Sequence, residues 1–210
     1  MMFCGIDEAG RGSVMGPLVV ACVFADDDSV LKEMGVKDSK RLSPKKREEL
    51  YAKITESFEY TVTTASSEDI DRMRKTESLN VIELKMFAYV SGSKADHIFA
   101  DCPDVNESSF SNELSAMTGS KVTAQHKADD TFPIVSAASI VAKVTRDRFV
   151  ERISEEIGNI GSGYPSDTVT MDFIEKWIKD NGCAPPYTRS SWEPVRKRLS
   201  ILANTKITDW

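Results

Sequence analysis

Apolar residues follow two rhythms along this chain. Leu18-Val-Val-Ala-Cys-Val-Phe-Ala25 is an unbroken, β-rich apolar run of strand length. Phe3-Cys-Gly-Ile6 before it reads as the end of a strand, and Gly10-Arg-Gly-Ser-Val-Met-Gly-Pro17 as a glycine-punctuated turn, which predicts an antiparallel hairpin closed by Asp26-Asp-Asp-Ser29. Three more short strands are predicted at Tyr60–Thr64, His97–Asp101 and Lys121–Gln125, the first of them β-branched and aromatic. Elsewhere the spacing is helical. Ser43-Pro44 is a helix start, with serine as cap and proline as first helical residue, and Leu50, Ile54 and Phe58 follow. Further helices are predicted over Thr76–Ser91, Ser109–Met117 ending at Gly119, and Pro133–Ile157 ending at Gly158. Two more cover Met171–Asp180, stopped by Asn181-Gly182, and Ser190–Leu202.

Strands first, then helix-rich crossovers, two more strands and closing helices predict a layered α/β fold with a mixed sheet. The helical last third reads as an appended subdomain. Boundaries are expected at 1–158, 159–203 and a tail 204–210. Composition supports a folded chain: of 210 residues, 40% are hydrophobic and 29% charged. No apolar run approaches the roughly 20 residues of a membrane span, and Met1 to Asp7 lacks the basic and hydrophobic regions of a secretory signal. The expected location is the cytoplasm. Cys4, Cys22, Cys102 and Cys183 form no CxxC pair and no zinc spacing, so reduced thiols are expected. A net charge of −6 weighs against a phosphate-rich partner. A local patch decides such contacts, however, and a carboxylate site carries charge that a bound cation offsets.

Candidate chemistry begins at Gly5-Ile-Asp-Glu-Ala-Gly-Arg-Gly12, where two acids run into a Gly-Arg-Gly turn. Successive strand residues face opposite ways, so Asp7 and Glu8 share a site only if the strand ends there. Asp101 closes a second strand, and sites in open α/β sheets form beyond strand ends. Asp129 and Asp130, after the fifth strand, are both candidates for a fourth ligand. Such an all-oxygen set suits hard divalent cations, and a pair of them suits phosphodiester hydrolysis. Taken singly, each acid is as well explained as a surface residue or a helix cap.

Together these residues resemble a family. Asp7-Glu-Ala-Gly-Arg-Gly12 followed by Gly16-Pro-Leu-Val-Val-Ala21 is similar to the N-terminal signature of type 2 ribonuclease H, ribonuclease HII. Asp38-Ser-Lys40 with Leu42-Ser43 resembles its next motif, and Asp101 with Asp104-Val-Asn106 the archaeal form of the third. His126-Lys-Ala-Asp129, Ala137-Ala-Ser-Ile140, Ala142-Lys143 and Arg146-Asp147 resemble the fourth. Gly161-Ser-Gly-Tyr-Pro-Ser-Asp167 resembles the fifth, and Arg189 with Ser191-Trp192 the last. Six motifs occur in order over about residues 3–196. Ser13 and Thr168 depart from the pattern, each standing where the family often has proline, which puts turn rigidity in question.

The resemblance implies a ribonuclease H-like fold, a five-stranded mixed sheet flanked by helices with a helical C-terminal extension. It implies an endonuclease that hydrolyses the RNA strand of RNA–DNA hybrids. It also implies cutting 5′ to ribonucleotides embedded in duplex DNA, leaving 3′-hydroxyl and 5′-phosphate ends. The metal ligands and catalytic residues it implies are Asp7, Glu8, Asp101 and Asp129, holding two magnesium or manganese ions; the match after His-Lys-Ala selects Asp129 over Asp130. Gly10, Arg11 and Gly12 are implied to read the ribose 2′-hydroxyl through backbone groups, and Tyr164 to stack at the RNA–DNA junction. Lys40, Lys143, Arg146 and Arg189 are expected phosphate contacts, and His126 a candidate proton shuttle; His97 has no implied role. Asn204-Thr-Lys-Ile207-Thr-Asp-Trp210 is similar to a sliding-clamp-binding box, against which stands a tail packed on its own domain. A monomer is expected. The rival readings are a resolvase-like DNA nuclease on the same fold and a hybrid-binding module without catalysis.

Overall fold

The computed structural model describes residues 1–36 and 42–205, and of residues 202, 204 and 205 the backbone alone. Strands β1 (Phe3–Ala9) and β2 (Leu18–Ala25) are followed by helices α1 (Ser29–Met34) and α2 (Pro44–Ser57). Next come β3 (Tyr60–Ala65), α3 (Ser67–Met73), α4 (Leu79–Ser91), β4 (His97–Asp101), α5 (Glu107–Thr118) and β5 (Lys121–Gln125). The chain closes with α6 (Ala128–Thr131), α7 (Pro133–Ile157), α8 (Thr168–Asn181) and α9 (Glu193–Thr205). The five strands form one sheet in the order β3-β2-β1-β4-β5. β1 and β2 are antiparallel, whereas β4 runs parallel to both β1 and β5. The expected mixed five-stranded sheet is therefore present.

Burial follows the sheet order. All eight residues of β2 are buried, which accounts for its unbroken apolar run. The edge strands β3 and β5 are more polar and mostly half-buried, as suits strands with one unpaired side. Helix ends obey local chemistry: the Ser43 hydroxyl accepts from the Lys46 amide at the start of α2, and Gly119 and Gly182 close α5 and α8 in the left-handed conformation.

The contacts divide the chain into two compact units, neither of them one continuous stretch. The first comprises Met1–Ala9, Val19–Thr64 and Glu77–Thr145, and the second Gly10–Leu18, Ala65–Thr76 and Arg146–Trp210. The sequence suggested a boundary near residue 158; the second unit also takes in the turn after β1 and the segment containing α3. Its core joins Val14 and Met15 of that turn to Val150, Ile153, Ile160, Met171, Ile174, Ile178 and Val195. A long-range hydrophobic core of this kind is invisible to local patterning.

In the first unit, Gly5 sets how closely α7 approaches β1. A β-carbon at Gly5 would lie 2.3 Å from the backbone carbonyl of Ile134, at the first turn of α7. Backbone atoms cannot yield as a flexible side chain can. Gly5→Ala is expected to destabilise the protein by roughly 1–3 kcal/mol or more. Chemical denaturation of wild type and variant measures this, with Gly12→Ala as a control of little effect, since a β-carbon there meets nothing within 4 Å.

Candidate active site

The carboxylates are placed by the ladder between β1 and β4. Its parallel pairing ends at Ile6 and Ala100, so Asp7 and Asp101 follow it side by side. The antiparallel pairing with β2 runs on through Asp7, Glu8 and Ala9. The sequence has Asp7 and Glu8 ending the strand; pairing stops before them on the β4 side, whereas β2 supplies partners through Ala9. Among the described residues, no group of three or more His, Cys, Asp or Glu side chains is gathered for a metal ion.

Asp7 is 4% exposed. Burial, and then the neighbouring Asp101 carboxylate, raise its pKa to about 7. Opposing this are a hydrogen bond from Ser139, the positive charge of Lys143 and the Glu8 amide, which donates to Asp7 Oδ1 at 2.7 Å. Lys143 Nζ in turn donates to Ser139 Oγ at 2.6 Å. Ser139 and Lys143 lie four residues apart on α7, hence on one face of it. Asp101 Oδ1 accepts from the Ala128 amide at 2.8 Å, tying β4 to the start of α6, which carries the buried Asp129. A surplus of negative charge and an all-oxygen donor set fit a hard divalent cation. Lys143, an expected phosphate contact, lies beside Ser139 in the field of Asp7. The role of Ser139 was missed, although its spacing from Lys143 was a readable signal. His126 Nδ1 stands 3.2 Å from the Cys102 carbonyl oxygen, and its amide donates to Glu107. Asp130 is exposed, and His97 pairs with Thr123 Oγ1 at 2.9 Å.

The second unit contains the Gly-Arg-Gly turn and the loop of Tyr164. The Gly10 amide donates to the Tyr164 hydroxyl at 3.1 Å, so two predicted substrate elements meet directly. The amides of Val14 and Met15 both donate to the Gly163 carbonyl, at 2.8 and 3.1 Å. Gly10 has φ 88°, and a β-carbon there would strike the Pro17 carbonyl and the Arg146 side chain. Gly12 is exposed and meets no such obstacle. Gly10 is thus a glycine for the fold, whereas the protein itself gives no steric reason for glycine at 12. Ser13, in the place of a frequent proline, donates from its hydroxyl to the Gly10 carbonyl at 2.9 Å, so a hydrogen bond holds the turn. Thr168 opens α8 behind its cap Asp167, a first-turn position where proline is equally at home.

Arg146 and Arg189, expected as phosphate contacts, are buried, at 3% and 0% exposure. Arg146 donates to the Ser162 carbonyl at 3.0 Å and lies 4.5 Å over the Tyr164 ring. Arg189 donates to the carbonyls of Arg11 at 2.8 Å, Gly10 at 2.6 Å and Gly16 at 3.3 Å, and stacks on Trp192. Burial, then the like charge of Arg146, pushes the Arg189 pKa down to about 9. Lys40, Ile207 and Trp210 lie outside the described residues, as does the side chain of Asn204.

The family model for ribonuclease HII matches residues 4–195. The chain belongs to the ribonuclease HII family. It is 48% identical to a ribonuclease HII of Thermococcus sibiricus, covering 98% of this chain and 95% of the relative. It is 46% identical to that of Thermococcus kodakarensis, over 98% and 93%. The fold is similar to the ribonuclease H2 of Pyrococcus horikoshii OT3, with a TM-score of 0.91 and 39% identity over 97% of this chain and 99% of that one. A second similar structure, the PCNA:RNase HII complex from Archaeoglobus fulgidus, gives 0.89 and 42% over 92% and 96%.

The Asp7 environment makes a prediction for the metal-free family member. Unfolded, Asp7 has a pKa of about 3.9; folded, about 7. The native state therefore binds more protons between these values, and stability falls as pH rises from about 4 through 7. Below pH 4 the group is neutral in both states and costs nothing. With chelator present, the melting temperature of Asp7→Asn relative to wild type is expected to rise from pH 5 to pH 8. A difference that stays constant with pH would show that Asp7 is not held in this way.

Proposed function

We propose that this chain hydrolyses the RNA strand of RNA–DNA hybrids, and cuts duplex DNA 5′ to an embedded ribonucleotide, through Asp7, Glu8, Asp101 and Asp129. The observation that carries the reading is the buried Asp7 beside the half-buried Asp101 beyond the β1–β4 ladder, a repulsion that a cation would relieve. Asp7, Asp101, Glu8 and Asp129 would hold two magnesium or manganese ions. When bound, such ions lower the pKa of an attacking water and offset charge on the departing 3′ oxygen. The chain's own contribution is to fix the ligands. Ser139 and Lys143 orient and compensate Asp7, and the Ala128 amide orients Asp101. The products would carry 3′-hydroxyl and 5′-phosphate ends.

Selection of RNA would lie with Gly10, Arg11 and Gly12, since the 2′-hydroxyl, both donor and acceptor, is what distinguishes a ribonucleotide. A glycine with open space around its α-carbon lets backbone approach a sugar closely. Tyr164, bonded through its hydroxyl to Gly10, would offer its ring at the junction of RNA and DNA. We assign Lys40 and Lys143 to phosphate contact or charge balance, and His126 to proton transfer. A cytoplasmic, monomeric enzyme fits this substrate, and among the described residues no helix is long and apolar enough to cross a membrane.

Two experiments follow. A labelled DNA duplex with one ribonucleotide is expected to be cut 5′ to it in magnesium or manganese. Asp7→Asn should lose at least about 100-fold in kcat, on the scale of losing one electrostatic element of an active site, and Gly12→Ala should lose cleavage while keeping its stability. An uncut duplex, with a continuous hybrid also intact, would sink the reading. Separately, a sliding clamp is proposed to bind Asn204, Ile207 and Trp210, so clamp affinity measured by calorimetry should vanish when residues 204–210 are deleted; unchanged affinity would exclude the tail.

A further inference from the structure

We infer that Arg189 is a positioning residue for sugar recognition, turning the Gly10–Gly12 backbone so that successive amides face the ribose 2′-hydroxyl. The inference rests on the turn reading the sugar, as proposed above. Phosphate contact was the expectation for Arg189, but its side chain is completely buried and its terminal nitrogens are engaged with carbonyls. Two of those carbonyls belong to consecutive residues, Gly10 and Arg11, so one guanidinium holds two adjacent peptide planes. In a trans peptide the carbonyl and the following N–H point in opposite directions across a rigid plane. Drawing the carbonyls of Gly10 and Arg11 toward Arg189 therefore directs the amides of Arg11 and Gly12 away from it. Consecutive amides turned to one side form a concave donor site suited to an oxygen ligand.

The remaining contacts fix the guanidinium itself. The Arg189 amide donates to the Val14 carbonyl at 2.8 Å, so main chain and side chain grip the same segment. The Trp192 ring lies 4.9 Å from the guanidinium carbon. The third carbonyl, Gly16, closes the far end of the turn. Ser13 adds a second donor to Gly10 from the opposite end of the same bend. A buried arginine without direct solvent is costly, and an apolar side chain of similar volume often packs better. What such a side chain could not supply is the planar fork that addresses two carbonyls at once. Lysine could not supply it either, being a point charge on a flexible stem.

The test compares wild type, Arg189→Lys and Trp192→Leu on a DNA duplex with one ribonucleotide, and measures affinity for the same duplex made entirely of DNA. Positioning predicts that Arg189→Lys lowers kcat by at least about tenfold, the scale of one misplaced polar contact. KM and all-DNA affinity should stay near wild type. Trp192→Leu, which removes only the stacking support, should show the same pattern to a smaller degree. It decides the matter if Arg189→Lys fails to fold. A fall in all-DNA affinity with a salt slope shallower by about one would make Arg189 a phosphate contact and overturn the inference. So would unchanged kcat in whichever variant folds, or equal losses in kcat and all-DNA affinity. A wild type unable to cut the ribonucleotide duplex would instead bring down the proposed function, and this inference with it.

Discussion

A buried carboxylate placed beside a second, half-buried one is repelled by it, and the candidate site is organised around that repulsion. Asp7 and Asp101 are brought together by the parallel ladder of β1 and β4, which stops one residue before them. Burial and mutual charge raise the Asp7 pKa to about 7, far above an ordinary aspartate. Such an arrangement is unfavourable for folding alone and favourable for capturing a cation. Gly5 contributes indirectly: without a side chain, it lets the first turn of α7 lie against β1, and the same helix carries Ser139 and Lys143 to Asp7.

The turn that follows β1 is governed by a different constraint. Residues 10–17 have few side chains able to define their shape, so distant residues define it through the backbone. Arg189 holds carbonyls at three positions, Gly163 accepts two amides, and Tyr164 accepts a third. Buried arginines bonded to carbonyls impose geometry in a way that surface arginines cannot. The chemistry assigned to this turn, discrimination of a hydroxyl by backbone groups, depends on such imposed geometry.

Much of this was legible in the sequence. Strand β4, strand β5 and the 25-residue helix α7 were predicted with the bounds they have, because period and caps agree there. The short helices α1, α3 and α6 were not foreseen; with so few residues they show no period, only caps such as Ser66. That β1 loses its β4 partner after Ile6 and keeps its β2 partner to Ala9 escaped notice because pairing is a non-local fact. The acids could be named from motif and strand end, yet their pairing partners could not: Ser139 reads as one small residue in an alanine-rich helix. The burial of the arginines went unforeseen for the same reason, since it depends on a unit assembled from three separate chain segments.

The central claim is that the Asp7–Asp101 pair is the cation site of a hybrid-cutting nuclease. Manganese binding followed by electron paramagnetic resonance tests it most directly, using wild type, Asp101→Asn and the remote control Asp26→Asn. The account predicts that Asp101→Asn loses binding by at least about tenfold, the scale of removing one charged oxygen ligand, while Asp26→Asn binds as wild type does. Equal binding by all three proteins would contradict it and would place the ion elsewhere.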